Sequence, residues 1–183
     1  GKPLAGQHPT FDDVVAKLKT FAEGPDVETT GWIFGVGYDD ALLGRHPNRD
    51  DLDKVSTEVP VIAMHISGHF SALNSAGLKR VGYTAATPDP KGGIIRRRPG
   101  SREPNGLNEE NAHFAYLFSA LSPKTPEGAD LFLRRSLELA KSFGYTTANE
   151  GRTYRANHVG LADAAKRGLL DIDVIGYIDY VDR

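Results

Sequence analysis

His69 stands in the stretch VPVIAMHISGHFSALNSAGL, residues 59–78, where an apolar, strand-like run gives way to a polar turn and then to a helix near Asn74 and Ser75. Imidazole is the side chain poised nearest neutral pH. At a strand end His69 can therefore serve as a general base, a metal ligand or a hydrogen-bond donor to substrate, or simply cap the following helix. Other strand-like runs deliver polar groups in the same way: Tyr38 and Asp39 end WIFGVGYD, and Asn149 and Glu150 end YTTANE. Glu110 follows a long loop and can hold a metal or act as acid or base, although Glu109 and Glu110 equally read as the acidic start of a helix. His65 lies inside the apolar run and reads as a packed or hydrogen-bonded core histidine, while His8, His46, His113 and His158 show no ligand spacing. The chain has no HxH, no HExxH, no cysteine and no GxSxG elbow, so it carries no self-sufficient metal or serine-nucleophile motif.

These groups need a scaffold of strands and helices. Phe11, Val14, Val15, Leu18 and Phe21 recur at helical spacing behind Thr10 as a cap, and Gly24-Pro25 stops that helix, after a loose lead-in over residues 1–10. WIFGVGYD is a short strand whose glycines at 35 and 37 allow close approach; without a third glycine the GxG is weak evidence for phosphate binding. Asn48 or Arg49 opens a short helix with Asp50 and Asp51 in its first turn, and VIAMHI is a strand apolar on both faces. The residues after Gly68 read as a turn and helix capped by Gly82, and residues 84–108 as one long irregular loop. Helices over 111–121 and 126–143, the strand YTTAN, a helix over 159–167 and the strand DVIGYIDYV complete the chain. Strands alternate with helices without a hairpin signal between strands, which predicts an α/β fold of parallel βαβ units forming a single segment over 1–183.

Composition narrows the class. At 183 residues, 39% hydrophobic and 25% charged, the chain is long enough to bury a real core. A formal net charge of -2 gives no case for nucleic acid, and the basic cluster Arg96 to Arg98 with Arg102 reads as a solvated loop. No apolar run approaches the roughly 18 to 20 residues that span a bilayer, and there is no signal peptide pattern. With no cysteine, the expectation is a cytoplasmic protein without membrane association, and any metal would rest on His, Asp or Glu. The start at Gly1, without Met, reads as a processed or cut product.

Six stretches in order, GWIFGVGYD (31–39), GRHPNRDDLD (44–53), PVIAMHISGHFSALNSAGL (60–78), TPDPKGGII (87–95), NGLNEENA (105–112) and GYTTANEG (144–151), resemble the first half of the barrel of amidohydrolase family 3, which includes N-substituted formamide deformylases and predicted metal-dependent hydrolases. The resemblance runs over roughly residues 11–180. It implies part of a (β/α)8 TIM barrel and a divalent metal, usually zinc, that activates water against a non-peptide, amide-like C–N bond of a small-molecule substrate. Gly68, His69, Asn74 and Ser75 match the family's Gly-His-x-x-x-x-Asn-Ser run, and Gly106, Glu110, Asn111 and Ala112 its Gly-x-x-x-Glu-Asn-Ala run. The resemblance thus implies Glu110 as metal ligand, His69 as a catalytic or substrate-side group and Asn74 as substrate-binding, and its Gly-x-Thr-Thr strand leads to Glu150 as a second catalytic candidate; from their strand-end positions Tyr38, Asp39 and Asn149 are expected to bind substrate. Two departures stand out: Ser67 replaces an acidic residue usual before Gly-His, and Asn149-Glu150 occupy a strand end where aspartate is more usual. The family's first-strand His-x-His and its later histidines and aspartate are absent, so the expectation is an inactive segment with open sheet edges that self-associates or folds as an open, doubly covered sheet. The alternative is a non-catalytic α/β module in which His69 and the 84–108 loop bind a ligand or partner.

Overall fold

A computed structural model of the chain describes residues 9–24, 27, 30–123 and 125–179. The chain forms two compact units, one through Leu121 and one from Ser122. The lead-in over residues 1–8, Pro25 and Tyr180 lie outside the described residues.

The first unit opens with helix α1 (Phe11–Ala22), nucleated by the expected cap: Asp13 N donates to Thr10 Oγ1 at 3.2 Å while Thr10 N donates to Asp13 Oδ2 at 2.8 Å. Its apolar stripe lays Leu18 on strand β1 (Ile33–Tyr38). At Gly35 the contact is close, because a Cβ there would come within 2.7 Å of Leu18 Cδ2. That glycine serves helix-on-sheet packing. Short helices α2 (Asp40–Leu43) and α3 (Arg49–Asp53) follow, α3 capped by Asn48, and lead to strand β2 (Val61–His65), which pairs parallel to β1 from Ile33↔Val61 to Tyr38↔His65.

Beyond β2 the all-parallel expectation fails. Gly68 N donates to His65 O at 3.0 Å, closing a tight turn, and the chain reverses into strand β3 (Phe70–Leu73), antiparallel to β2 with Ile62↔Leu73 and Met64↔Ser71. FSAL was short enough to be absorbed into the predicted helix. In fact α4 (Ser75–Val81) starts only after Asn74. Nor is 84–108 irregular throughout: strands β4 (Gly93–Arg97) and β5 (Pro104–Glu110) pair antiparallel, β5 also pairs antiparallel to β3, and the sheet order is β1-β2-β3-β5-β4. β5 shows no plain strand pattern in the sequence because Asn105-Gly106, ordinarily a turn signal, sits inside it. Gly106, at φ +104°, passes so close to Leu73 O and Arg49 N that a Cβ would lie 2.5 and 2.6 Å from them. Helix α5 (Asn111–Leu121) leaves β5 directly.

The core lies on both faces of this sheet. Leu18, Ile33, Tyr38, Leu52, Val61, Ala63 and Ala72 form one cluster, and Trp32, Ile62, Leu73, Leu78 and Tyr116 another. Each large aliphatic side chain so buried contributes roughly 1.5–3 kcal/mol.

The second unit contains helix α6 (Pro126–Ser142), capped by Thr125, and strands β6 (Thr147–Thr153) and β7 (Asp173–Ile178), which pair in parallel across helix α7 (Arg155–Lys166). This is the βαβ unit expected from the pattern. Leu137, Thr153 and Ala164 are buried within it. Among the described residues no helix is long and apolar enough to cross a membrane. The observed class is therefore a mixed α/β fold with parallel sheet segments.

Asn74 joins several of these elements. It is fully buried and caps α4; Oδ1 accepts from Val61 N at 2.9 Å and Gly77 N at 2.7 Å, and Nδ2 donates to Ser56 O at 2.7 Å and Val59 O at 2.9 Å. Replacement by alanine leaves four backbone groups without this partner. Asn74→Ala is expected to lower stability by about 3–5 kcal/mol, combining a lost cap with buried orphaned groups, as read from the urea midpoint. A loss below about 1 kcal/mol would contradict that structural role.

Candidate functional site

The ends of β1 and β2 bring together side chains that lie far apart in sequence. Tyr38 and His65 are register partners, and Asp39 and Asp40 follow Tyr38 directly. His65 Nε2 lies 2.9 Å from Asp40 Oδ1, and His46 Nε2 lies 3.8 Å from Asp40 Oδ2. On their other sides the two rings meet hydroxyls: Tyr38 OH is 3.0 Å from His46 Nδ1, and Ser67 Oγ is 2.8 Å from His65 Nδ1. The four rings of Tyr38, His46, His65 and Phe70 pack mostly edge to face. Burial is the main influence on two of these groups, raising the Tyr38 phenol far above its usual value and lowering the His46 imidazole.

A second pair forms where β3 begins and β5 ends. His69 Nδ1 lies 3.1 Å from Glu110 Oε2, and Glu110 N donates to His69 O at 2.9 Å. Both side chains are about half exposed, so they face solvent rather than core. Glu110 has φ +48°, a left-handed conformation that costs a non-glycine residue of order 1 kcal/mol and concentrates at functional positions. Glu109 and Glu110 are thus the last residues of a strand, and the reading of them as the acidic start of a helix is replaced: α5 begins at Asn111.

Behind the turn that carries His69 runs a buried polar chain. Asn108 Nδ2 donates to Tyr116 OH at 3.2 Å, Tyr116 OH meets Ser71 Oγ at 2.5 Å, Ser71 Oγ meets His113 Nδ1 at 2.7 Å, and His113 Nε2 reaches Gly68 O at 3.1 Å. A carbonyl only accepts, so His113 Nε2 carries the proton and each hydroxyl donates toward the histidine. His113 is fully buried, and burial lowers its pKa. It was invisible to ligand spacing because its partners come from β3 and the turn.

Other expected residues take different places. Asn74 spends its carboxamide on backbone groups, which corrects its assignment to substrate. Ser75 is held by Asp53, its Oγ donating to Oδ2 at 2.6 Å. Asn149 and Glu150 belong to the second unit, exposed and mid-strand, because β6 runs on to Thr153; the expectation that they end the strand is corrected. The basic cluster is not simply solvated: Arg98 makes two hydrogen bonds to Asp50, and Arg97 binds the carbonyls of Thr84, Thr87 and Arg102. His8 lies outside the described residues.

A model of the amidohydrolase family matches residues 3–183. The chain belongs to that family. Protein LONG AFTER FAR-RED 3 of Arabidopsis thaliana is 39% identical over 77 residues, 42% of this chain and 13% of that protein. The N-substituted formamide deformylase of Arthrobacter pascens is 29% identical over 116 residues, 62% of this chain and 20% of the enzyme. An uncharacterized metal-dependent hydrolase from Pyrococcus horikoshii OT3 shares the fold, with a TM-score of 0.61 at 19% identity over 92% of this chain and 31% of that one. The chain thus matches only a fifth or less of the length of these two curated relatives. Within this amidohydrolase chain, the Gly-His and Glu-Asn runs that carried the resemblance are the segments forming the His69–Glu110 pair.

The buried histidines give a pH dependence of known sign. His46 and His113 have folded-state values below the ordinary 6.5 of an unfolded histidine, burial being the first cause in both. As pH falls through about 6.5 the unfolded chain takes up protons that the folded chain refuses, so this share of stability is present above 6.5 and is lost on acidification toward the lowered folded values. His113→Asn should be less stable by about 1–3 kcal/mol and show a shallower decline between about pH 7 and 5, measured as urea midpoints across that range. An unchanged slope would remove His113 as a contributor.

Proposed function

We propose that this chain forms part of a metal-dependent amidohydrolase that cleaves a non-peptide, amide-like C–N bond of a small molecule, with His69 and Glu110 at the reacting end. The observation that carries this reading is the solvent-facing His69–Glu110 pair, held at a backbone conformation unfavourable for glutamate, on the segments that resemble the family's site. Family membership and the likeness to a metal-dependent hydrolase fold support it. The βαβ pairs β1/β2 and β6/β7 are consistent with portions of a (β/α)8 barrel, and β3 to β5 would be an antiparallel elaboration of it.

The donor set at this end suits a zinc-class ion in type but is short in number. Glu110 offers a carboxylate and His69 an imidazole, whereas a catalytic zinc takes about three protein ligands and a water. The remaining donors would come from outside this chain. When bound, such a metal supplies a water ionised near neutral pH. In this reading Glu110 would hold the metal, and His69, whose Nδ1 lies 3.1 Å from Glu110 Oε2, would keep Nε2 for the substrate or for a proton. The chain buries Ser71, Asn108, His113 and Tyr116 behind the turn and leaves His69 and Glu110 about half exposed.

The test is to assay the 183-residue chain, and the same sequence made with the coding sequence that flanks it, on a panel of N-substituted formamides and other non-peptide amides with Zn2+, Co2+ or Mn2+. The chain alone should be inactive and the longer product active and chelator-sensitive. Glu110→Gln in the longer product should lower kcat by about 100-fold or more and reduce bound metal. Chelator-resistant turnover, or full activity in Glu110→Gln, would defeat the proposal.

A further inference from the structure

The cluster at the ends of β1 and β2 has an order that ring packing alone does not require. Two imidazoles converge on one carboxylate: His65 Nε2 and His46 Nε2 face the two oxygens of Asp40, at 2.9 and 3.8 Å. Each Nδ1 rests on a hydroxyl, Ser67 Oγ at 2.8 Å and Tyr38 OH at 3.0 Å. Metal-binding histidines are commonly oriented in this manner, one ring nitrogen fixed by a neighbour and the other turned to the ion. Asp39 adds a second carboxylate: one ligand atom each from Asp39, Asp40 and His65 lies within 4.8 Å of the others. The N-cap contact from Ala41 N is made to Asp39 Oδ1, at 2.9 Å.

We propose that Asp39, Asp40, His46 and His65 bind one divalent cation of the zinc class. Two imidazoles beside two carboxylates favour Zn2+, Co2+ or Ni2+ over Mg2+ or Ca2+, which prefer all-oxygen shells. Tetrahedral ligands at zinc distances stand about 3.3 Å apart, so the site must draw in slightly. Asp40, with 41% of its side chain exposed, is free to do so. Ser67 N donates to His65 Nδ1 at 3.1 Å without metal, placing the ring proton on Nε2 against Asp40. On binding, the ring would exchange tautomer: Nε2 would become the ligand, the proton would sit on Nδ1 and donate to Ser67 Oγ, and Ser67 N would give up its hydrogen bond to Nδ1, with no net proton lost from the imidazole. This site stands whether or not the hydrolase reading does, since its donors all lie in this chain.

The experiment titrates the 183-residue chain with Co2+, following visible d–d absorption and the shift in Tm. The expected result is one tight equivalent with a low-symmetry, intense spectrum that persists in Glu110→Gln. Asp40→Asn should weaken it by about 100-fold or more, and Ser67→Ala by about 10-fold. His46→Gln should weaken it similarly to Asp40→Asn, with the Co2+-induced rise in Tm read against each variant's own metal-free Tm. No tight equivalent, one that survives Asp40→Asn, or one that disappears in Glu110→Gln would overturn the proposal; the last would assign the metal to the His69–Glu110 end instead.

Discussion

One buried carboxamide fixes much of the first unit. Asn74 satisfies Val61 N at the start of β2, Gly77 N in the first turn of α4, and the carbonyls of Ser56 and Val59 in the connection before β2. The chain therefore has one way to leave β3, and the β2/β3 hairpin has one register. A slip of one residue would turn every side chain of these short strands to the other face. It would also move His65 and His69 away from their partners at the turn. A residue with no solvent exposure thus decides where the exposed ones appear.

The turn itself is supported from below. His113 grips Gly68 O, and the chain of hydroxyls behind it runs through Ser71 and Tyr116 to Asn108. Because the carbonyl can only accept, the direction of every donor in the chain follows from that end, and aligned hydrogen bonds in a dry interior strengthen one another. The polar core is an extension of the site into the fold. Asn108 Oδ1, buried with no hydrogen-bond partner among the described residues, marks where that extension stops.

Local signals were legible where they needed only neighbours in sequence. Thr10 with Asp13, Asn48 before Asp50 and Asp51, and the apolar run of β2 each act within a few residues, and the structure places those elements as read. The resemblance to the amidohydrolases is carried by short ordered runs, which do not depend on how the strands pair. What escaped was pairing. β3 has four residues, β5 contains an Asn-Gly pair that usually signals a turn, and the basic loop between them is pinned by arginines whose acceptors are distant carbonyls and Asp50. His46 and His113 had no ligand spacing because their partners arrive from other strands, and Asn74 looked like a substrate group because burial cannot be read from its type.

Ser67 joins the two histidine sites at the turn. Its hydroxyl lies 2.8 Å from His65 Nδ1 and accepts from His69 N at 3.2 Å. A single oxygen therefore orients a ring on the β2 side and a backbone amide on the β3 side. Where the resembling family usually has an acid, a carboxylate would bring a negative charge and two acceptors to this spot and compete for the hydrogen bonds that Ser67 makes. The hydroxyl can donate as well as accept, so it suits either tautomer of His65 without charge. Serine at this position thus leaves Asp40 as the carboxylate beside His65 and Glu110 as the carboxylate beside His69. It keeps two imidazoles, four residues apart in sequence, committed to different partners.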